Sequence, residues 1–492
     1  MKKLSIIPNR SGKNKGHFFI LSFTMVYLFF ATVFFPFKVL AYDNIVVVID
    51  PGHGGNKLDG NTESGAIYEN GTLPERDVDL YTAKAMRDEL LKYPNITVYM
   101  TREDNRALSL LERVSYAQSV NADIMISVHY NQSEDGLFYG GEIFTSAFGG
   151  NYQRGNGIAQ CIMKRWTEDF GSPDKGIKTR LGSDGEDYYG VIRHGKDMEI
   201  PVIIIEHGYL DNYHDLERMG DEEAWKELGI LDAKGVADYY GLTENVMSDK
   251  AEPTVKVDLP EDVVYPDETP PDRIRINVDR YYPEDNSIDY TIYATDSESE
   301  IMYYGITYDG EVDSIVASDF DDLTLWNKGS GFATGNLVLP DDLSKNLVFR
   351  IYNNYGFYTD HEVPKKDIDS ADTGPAFSEG SSQDAIYNDP DEMDTGEEKP
   401  VSEDRAEDGS KEDESLEDKG RSASDNEKIR QALKKSKTAG DKEEAGQKGT
   451  SFQDNMVLYL LIFVLVIVAI IITFVIIVLV SRISKKNRDN DS

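Results

Sequence analysis

The chain has a single cysteine, Cys161. No internal disulfide can form, and zinc motifs built on several cysteines are excluded. Basic residues are also scarce. There are 51 Lys and Arg against 89 Asp and Glu in 492 residues, a formal net charge of -38. A chain of that sign has little with which to neutralise phosphates, which argues against nucleic acid as a partner. Histidine numbers only seven. Any metal must therefore be held by His and carboxylates, and each His can be weighed singly. The length leaves room for about two or three domains.

Long apolar runs occur only near the two ends. Lys2, Lys3, Arg10, Lys13 and Lys15 precede an uncharged run over residues 18–37, and Val39-Leu40-Ala41 follows. This reads as a secretory signal over residues 1–41, cut near Ala41. Left uncut, the run is long enough to span a bilayer. A second run over 456–480 is almost wholly Leu, Ile, Val and Phe, with Arg482, Lys485, Lys486 and Arg488 behind it. That pattern predicts a transmembrane helix with a basic cytoplasmic tail at 481–492. The body is then expected outside the cell membrane, tethered by a single pass, with the lipid bilayer as a partner. Residues 366–452 are Asp, Glu, Ser, Lys and Gly with few large apolar side chains. They cannot bury enough surface to fold and read as a disordered acidic linker. A flexible coil of that length has an r.m.s. span of roughly 50 Å.

Between these ends lie two zones. Residues 42–244 alternate strand-like and helix-like segments, with strands at 44–50, 96–100, 122–129, 140–145 and 201–206. Helices are expected at 75–92, 108–120 and 155–170. Such alternation predicts an α/β domain with a mostly parallel sheet flanked by helices. Residues 254–365 are rich in Tyr, Thr, Val, Asp and Gly and predict a small all-β, sandwich-like module.

The candidate chemistry sits at strand ends. Asp50-Pro51-Gly52-His53-Gly54-Gly55 follows the first strand. Ligands collect at the carboxyl ends of strands in open α/β sheets. A Gly-rich turn or phosphate cradle is the plainer reading, but no G-x-G-x-x-G pattern supports it. Glu75 follows Pro74 at a helix start, where an acid often only complements the helix dipole. His129 ends the 122–129 strand. Glu206 ends the 201–206 strand, where burial demands a partner, with Arg102 or Arg113 as structural options. Together, two His and one Glu make a His₂Glu zinc site with an open fourth position. Glu206 would then be the proton shuttle that amide hydrolysis requires.

Six motifs occur in order: Ile49-Asp50-Pro51-Gly52-His53-Gly54-Gly55, Pro74-Glu75-Arg76-Asp77, Met100-Thr101-Arg102-Glu103-Asp104, Leu108-Ser109-Leu110-Leu111-Glu112-Arg113, Ile126-Ser127-Val128-His129-Tyr130-Asn131, and the run from Pro201 through Glu206-His207-Gly208-Tyr209-Leu210-Asp211-Asn212. By these, residues 44 to about 240 resemble the zinc-dependent N-acetylmuramoyl-L-alanine amidases of the cell-wall hydrolase type. The resemblance implies one zinc ion held by His53, Glu75 and His129, with Glu206 as the catalytic carboxylate. It implies peptidoglycan as substrate, cut between the muramic acid lactyl group and L-alanine. Arg102 and Arg113 read as structural, paired with carboxylates. Tyr130 and His207 depart from the small and aliphatic residues common in the family, and leave substrate preference open.

His194 and Asn131 are candidate substrate contacts. His207 and Cys161 read as packing residues, His214 and His361 as surface residues, and His17 as part of the signal. Tyr281, Tyr282, Tyr303 and Tyr304 of the β module are either a sugar-binding platform or ordinary core and surface. Two rivals stand beside the amidase. One is a non-catalytic wall-binding or scaffold protein on the same fold, and the other a zinc peptidase acting on stem peptides. There is room for an activator protein that the sequence does not name.

Overall fold

The structure is a computed structural model that describes residues 44–373, except 59, 61, 69–72, 134, 312 and 313. The expected N-terminal segment, most of the acidic linker, the 456–480 run and the basic tail lie outside the described residues. Among the described residues no helix is long and apolar enough to cross a membrane.

The first zone contains β1 (Ile45–Pro51), β2 (Ile67–Tyr68), β3 (Leu73–Pro74), α1 (Glu75–Leu90), β4 (Ile96–Met100), α2 (Leu110–Ser119) and β5 (Ile124–Asn131). It continues with β6 (Gly141–Thr145), α3 (Gly149–Arg165, ending in a π turn over Trp166–Phe170), β7 (Asp174–Lys178), α4 (Gly190–Asp197), β8 (Val202–Tyr209), α5 (Tyr213–Met219) and α6 (Glu222–Tyr239). Six of the strands form one sheet in the order β4-β1-β5-β8-β6-β7. The β1/β4, β1/β5, β5/β8 and β6/β7 pairs are parallel, and β6/β8 is antiparallel. The sheet is mostly parallel, as expected, with a single antiparallel pair where β6 meets β8. The reason lies in the β5–β6 connection, residues 132–140. It contains no helix and falls short of the dozen or so residues that a parallel crossover needs.

Alternation along the strands sorts the sheet into two faces. Ile49, Ile126, Val128, Ile203 and Ile205 pack with Val78 and Met86 of α1, Ile158 and Ile162 of α3, and Leu228 and Val236 of α6. Val48, Met125, Val202 and Ile204 pack on the opposite face with Val114 of α2 and Val191 and Ile192 of α4. Helix α2 starts on a capping box: Glu112 N donates to Ser109 Oγ, and Ser109 N donates to Glu112 Oε2 at 2.9 Å. Helices α4 and α6 and strand β7 were not anticipated.

The β module comprises β9 (Arg273–Tyr282), β10 (Ser287–Thr295), β11 (Ile301–Tyr308), β12 (Thr324–Leu325), β13 (Phe332–Val338), β14 (Asn346–Asn353), β15 (Tyr358–Pro364) and α7 (Lys365–Asp369). A three-stranded sheet, β13-β10-β9, faces a four-stranded sheet, β12-β11-β14-β15. Ile288, Ile292, Phe349 and Ile351 form the core between them. Helix α7 occupies the first residues of the stretch expected to be a linker, because Ile368 is buried in that same core. Tyr303 and Tyr304 are buried, so they cannot serve as a sugar platform. His361 is half-buried on β15, not fully exposed.

The module is packed onto the first domain. Leu137, Phe138, Tyr139 and Tyr209 share one apolar cluster with Met302, Tyr303, Phe320, Leu323, Val348 and Tyr352. The Phe138 ring lies 5.9 Å from Tyr303 and 5.3 Å from Tyr352. Tyr139 OH donates to Leu323 O at 3.0 Å, and Tyr303 OH donates to Tyr139 O. Under this seam lies a buried charge network. Glu142 accepts from Asn131 Nδ2 at 2.7 Å, Tyr209 OH at 2.9 Å, Lys175 Nζ at 3.4 Å and Lys178 Nζ. Lys175 stacks 4.9 Å from the Phe138 ring centre, and Lys178 stacks 5.3 Å from that of Tyr355 in the module. Burial pushes the Glu142 carboxyl up, but the two ammoniums outweigh it and hold the group down at about 2.

A carboxyl depressed in the folded state contributes stability that is full above its unfolded value, about 4.5, and is lost as pH falls toward about 2. Lys178→Met relieves that depression. Acid unfolding followed by circular dichroism should then move to higher pH, with a loss of about 3–5 kcal/mol near neutrality. Phe138→Ala empties the centre of the shared cluster and is expected to cost about 3–5 kcal/mol. Calorimetry should then resolve two transitions in place of one.

Candidate metal centre

The carboxyl edge of the sheet collects the polar side chains. β1 ends in a turn that carries His53 at φ 52°, a left-handed conformation that is costly for a non-glycine residue. Two buried arginines hold this turn. Arg102 Nε donates to Pro51 O at 3.0 Å, and its Nη2 donates to Gly52 O and, at 2.8 Å, to Arg76 O. Arg113 Nη1 pairs with Asp50 Oδ1 at 2.9 Å and also reaches Pro51 O, while its Nη2 donates to His53 O. Both arginines are structural, as expected. Arg113 has a carboxylate partner, whereas Arg102 is bonded to backbone carbonyls.

Glu75 is the first residue of α1, behind Pro74. Its carboxylate is 4% exposed and binds three segments together. Oε2 accepts Ala66 N at 2.7 Å, and Oε1 accepts Tyr130 N at 3.1 Å. Oε1 also lies 3.2 Å from His53 Nε2 and 3.1 Å from His129 Nδ1. Burial raises its pKa, but the imidazoles of His53 and His129 overcome this and hold the group well below the ordinary carboxylate range. The two imidazole rings stand 5.1 Å apart at 73°. Zinc held tetrahedrally by N and O at about 2.0–2.2 Å sets its ligand atoms roughly 3.3–3.5 Å apart. The His53, Glu75 and His129 donors converge at that scale, so the residues present fit a single zinc ion. Gly65, at φ 64°, makes room: a Cβ there would run into Glu75 Oε2 and stand 2.6 Å from His53 Nε2.

A fourth residue, Asp79, completes the group, with all four ligand atoms within 4.8 Å of one another. Sequence reasoning missed it. The available signal was its spacing, one helical turn after Glu75 on the same face of α1.

Strand register places Glu206. It is the partner of His129 across β5/β8 and of Glu142 across β6/β8. Directly paired residues project from the same face, so His129, Glu206 and Glu142 form one row. His207 projects to the other face. It stacks on Tyr130 at 4.9 Å and on Trp166 at 4.7 Å, and its Nε2 lies 2.9 Å from Asp232 Oδ2. It is a packing residue, like Cys161, which is buried on α3.

The two candidate substrate contacts fare differently. Asn131 is 3% exposed, and its amide is committed to Glu142, so it acts inside the fold. His194 is half-buried in the last turn of α4, outside the four-residue group. His214 is partly exposed on α5, with Nε2 3.1 Å from Asp322 of the β module. Glu142, Lys175 and Lys178 went unrecognised in the sequence because nothing local marks a charge that will be buried.

A family profile described as N-acetylmuramoyl-L-alanine amidase matches residues 47–238. The N-acetylmuramoyl-L-alanine amidase CwlM of Bacillus licheniformis is 29% identical over 207 residues, spanning 41% of this chain and 71% of that protein. Among solved structures, Cwp6 from Clostridium difficile is 34% identical with a TM-score of 0.36, covering 40% of this chain and 29% of that one. The catalytic domain of CwlV, an N-acetylmuramoyl-L-alanine amidase from Bacillus (Paenibacillus) polymyxa, is 27% identical with a TM-score of 0.34, covering 40% of this chain and 99% of that one. Residues 47–238 thus carry a domain of the N-acetylmuramoyl-L-alanine amidase type.

Proposed function

We propose that this protein is a zinc-dependent peptidoglycan amidase that hydrolyses the bond between the muramic acid lactyl carbonyl and the nitrogen of L-alanine. The observation that carries the reading is the convergence of His53 Nε2 and His129 Nδ1 on Glu75 Oε1, at 3.2 and 3.1 Å. His53, Glu75 and His129 would hold one Zn²⁺, with Asp79 beside them. Zinc bound there supplies a Lewis acid and lowers the pKa of a coordinated water toward neutrality.

The remaining steps fall to the chain. Glu206 takes a proton from the attacking water and delivers it to the departing nitrogen, so a lactyl carboxylate and a free L-alanine amine result. Glu142 lies on the same row but is a poor base, because four donors occupy its oxygens. The low polarity of the surrounding strands strengthens each of these interactions.

The reading puts the catalytic domain on the outer side of a membrane, within reach of the wall. The support is the apolar run at 456–480 with basic residues behind it, and the signal-like segment at 1–41. Residues 366–452 would set the reach of the anchored enzyme.

The test is mass spectrometry of purified peptidoglycan digested by the full chain, with zinc, after chelation, and with Glu206→Ala. Intact stem peptides bearing a free L-alanine amine are expected with zinc and absent after chelation. Glu206→Ala should lower their rate of release about 10²–10⁴-fold. Cuts within the stem peptide would identify a peptidase. Zinc binding with no cleavage of any wall type would identify a wall-binding protein.

A further inference from the structure

Two polar residues in the family motifs have no part in the proposed chemistry. Asp50 belongs to the first motif and Ser127 to the fifth. The sheet brings them together. Asp50 and Ser127 are direct partners across the parallel β1/β5 pair. Ser127 and His129 are two residues apart on β5, so all three side chains project from one face. They are nearly inaccessible, at 1%, 2% and 7% exposure.

The contacts run in one direction. His129 Nδ1 faces Glu75 Oε1 at 3.1 Å, the direction of the metal group. Its other nitrogen, Nε2, lies 3.2 Å from Ser127 Oγ. Ser127 Oγ donates to Asp50 Oδ2 at 3.0 Å. Asp50 Oδ1 accepts from Arg113 Nη1 at 2.9 Å and from Thr101 Oγ1. A hydroxyl has one proton to give. Because Ser127 gives its proton to Asp50, it can only accept from His129. That direction puts the His129 proton on Nε2 and leaves the lone pair on Nδ1, on the side of Glu75 where a metal would be held.

We infer that Ser127 and Asp50, anchored by Arg113, are positioning residues that fix the tautomer and ring angle of His129 for zinc. The inference rests on the metal-centred reading above. It adds an outer shell of hydrogen bonds of the kind that orients metal-binding histidines generally. It also gives Asp50 a reason to be a buried carboxylate. Asp50 orients the hydroxyl, and Arg113 balances its charge while holding the turn that carries His53. One ion pair thus sets two of the metal-binding side chains.

The experiment measures zinc affinity of the full chain by competition with a chromogenic chelator, without substrate. It also records the visible absorption of the Co²⁺-substituted protein, which reports ligand geometry. Ser127→Ala is expected to weaken zinc binding about 10–100-fold and to alter the cobalt spectrum. Ser127→Thr keeps the hydroxyl and should restore both. Asp50→Asn should resemble Ser127→Ala. If Asp50→Asn does not fold, the two Ser127 variants still decide the question. Zinc affinity and cobalt spectrum unchanged in Ser127→Ala, with a zinc-binding parent, would overturn the relay alone. A parent chain that binds no zinc would overturn the metal-centred function and the relay together.

Discussion

The buried carboxylate of Glu75 is the constraint on which the rest of the site depends. A carboxylate at 4% exposure is tolerable only with its oxygens satisfied. Here the partners come from three places: Ala66 N in the loop before the β2–β3 hairpin, Tyr130 N on β5, and the imidazoles of His53 and His129. The same group that would bind metal therefore ties the start of α1 to the sheet edge. Stability and metal binding would share these contacts, and the two histidines beside Glu75 hold its carboxyl below the ordinary carboxylate range.

The sheet turns that constraint into an ordered site. One face is aliphatic and packs on α1, α3 and α6. The other is aliphatic in its middle, but at the carboxyl edge it carries Asp50, Ser127, His129, Glu206 and Glu142. Parallel register between β1, β5 and β8 fixes their order across the sheet. A one-residue slip would send each of them to the opposite face. His207 shows the rule from the other side: it follows Glu206 directly, yet it ends in a packed network with Trp166 and Asp232.

The β module packs beside the carboxyl edge of the sheet. Its tyrosines close over Phe138 and Tyr139 in the connection that follows the His129 strand. Beneath them Lys175 and Lys178 neutralise Glu142, which stands opposite Glu206 across β6/β8. Domains in one chain move freely by default unless a large apolar interface joins them. This seam is apolar and draws side chains from both parts, so the two are held as one unit.

The sequence alone determined the α/β class, the β module and the convergence of His53, Glu75 and His129. These were legible because strand ends, Gly-rich turns and a Pro-led helix start are local patterns with a fixed place in an α/β sheet. It also marked Arg102 and Arg113 as structural residues. Tertiary structure decided what depends on partners distant in sequence. Asp79 joined the metal group because α1 meets the sheet edge with that face inward. Asn131 proved committed to Glu142, 11 residues and a strand reversal away. The antiparallel turn of β6 and the late helices followed from connection length and packing. Lys175 and Lys178 were invisible for a simple physical reason: a lysine in sequence looks solvated, and only the fold shows that a carboxylate and two aromatic rings have replaced its water.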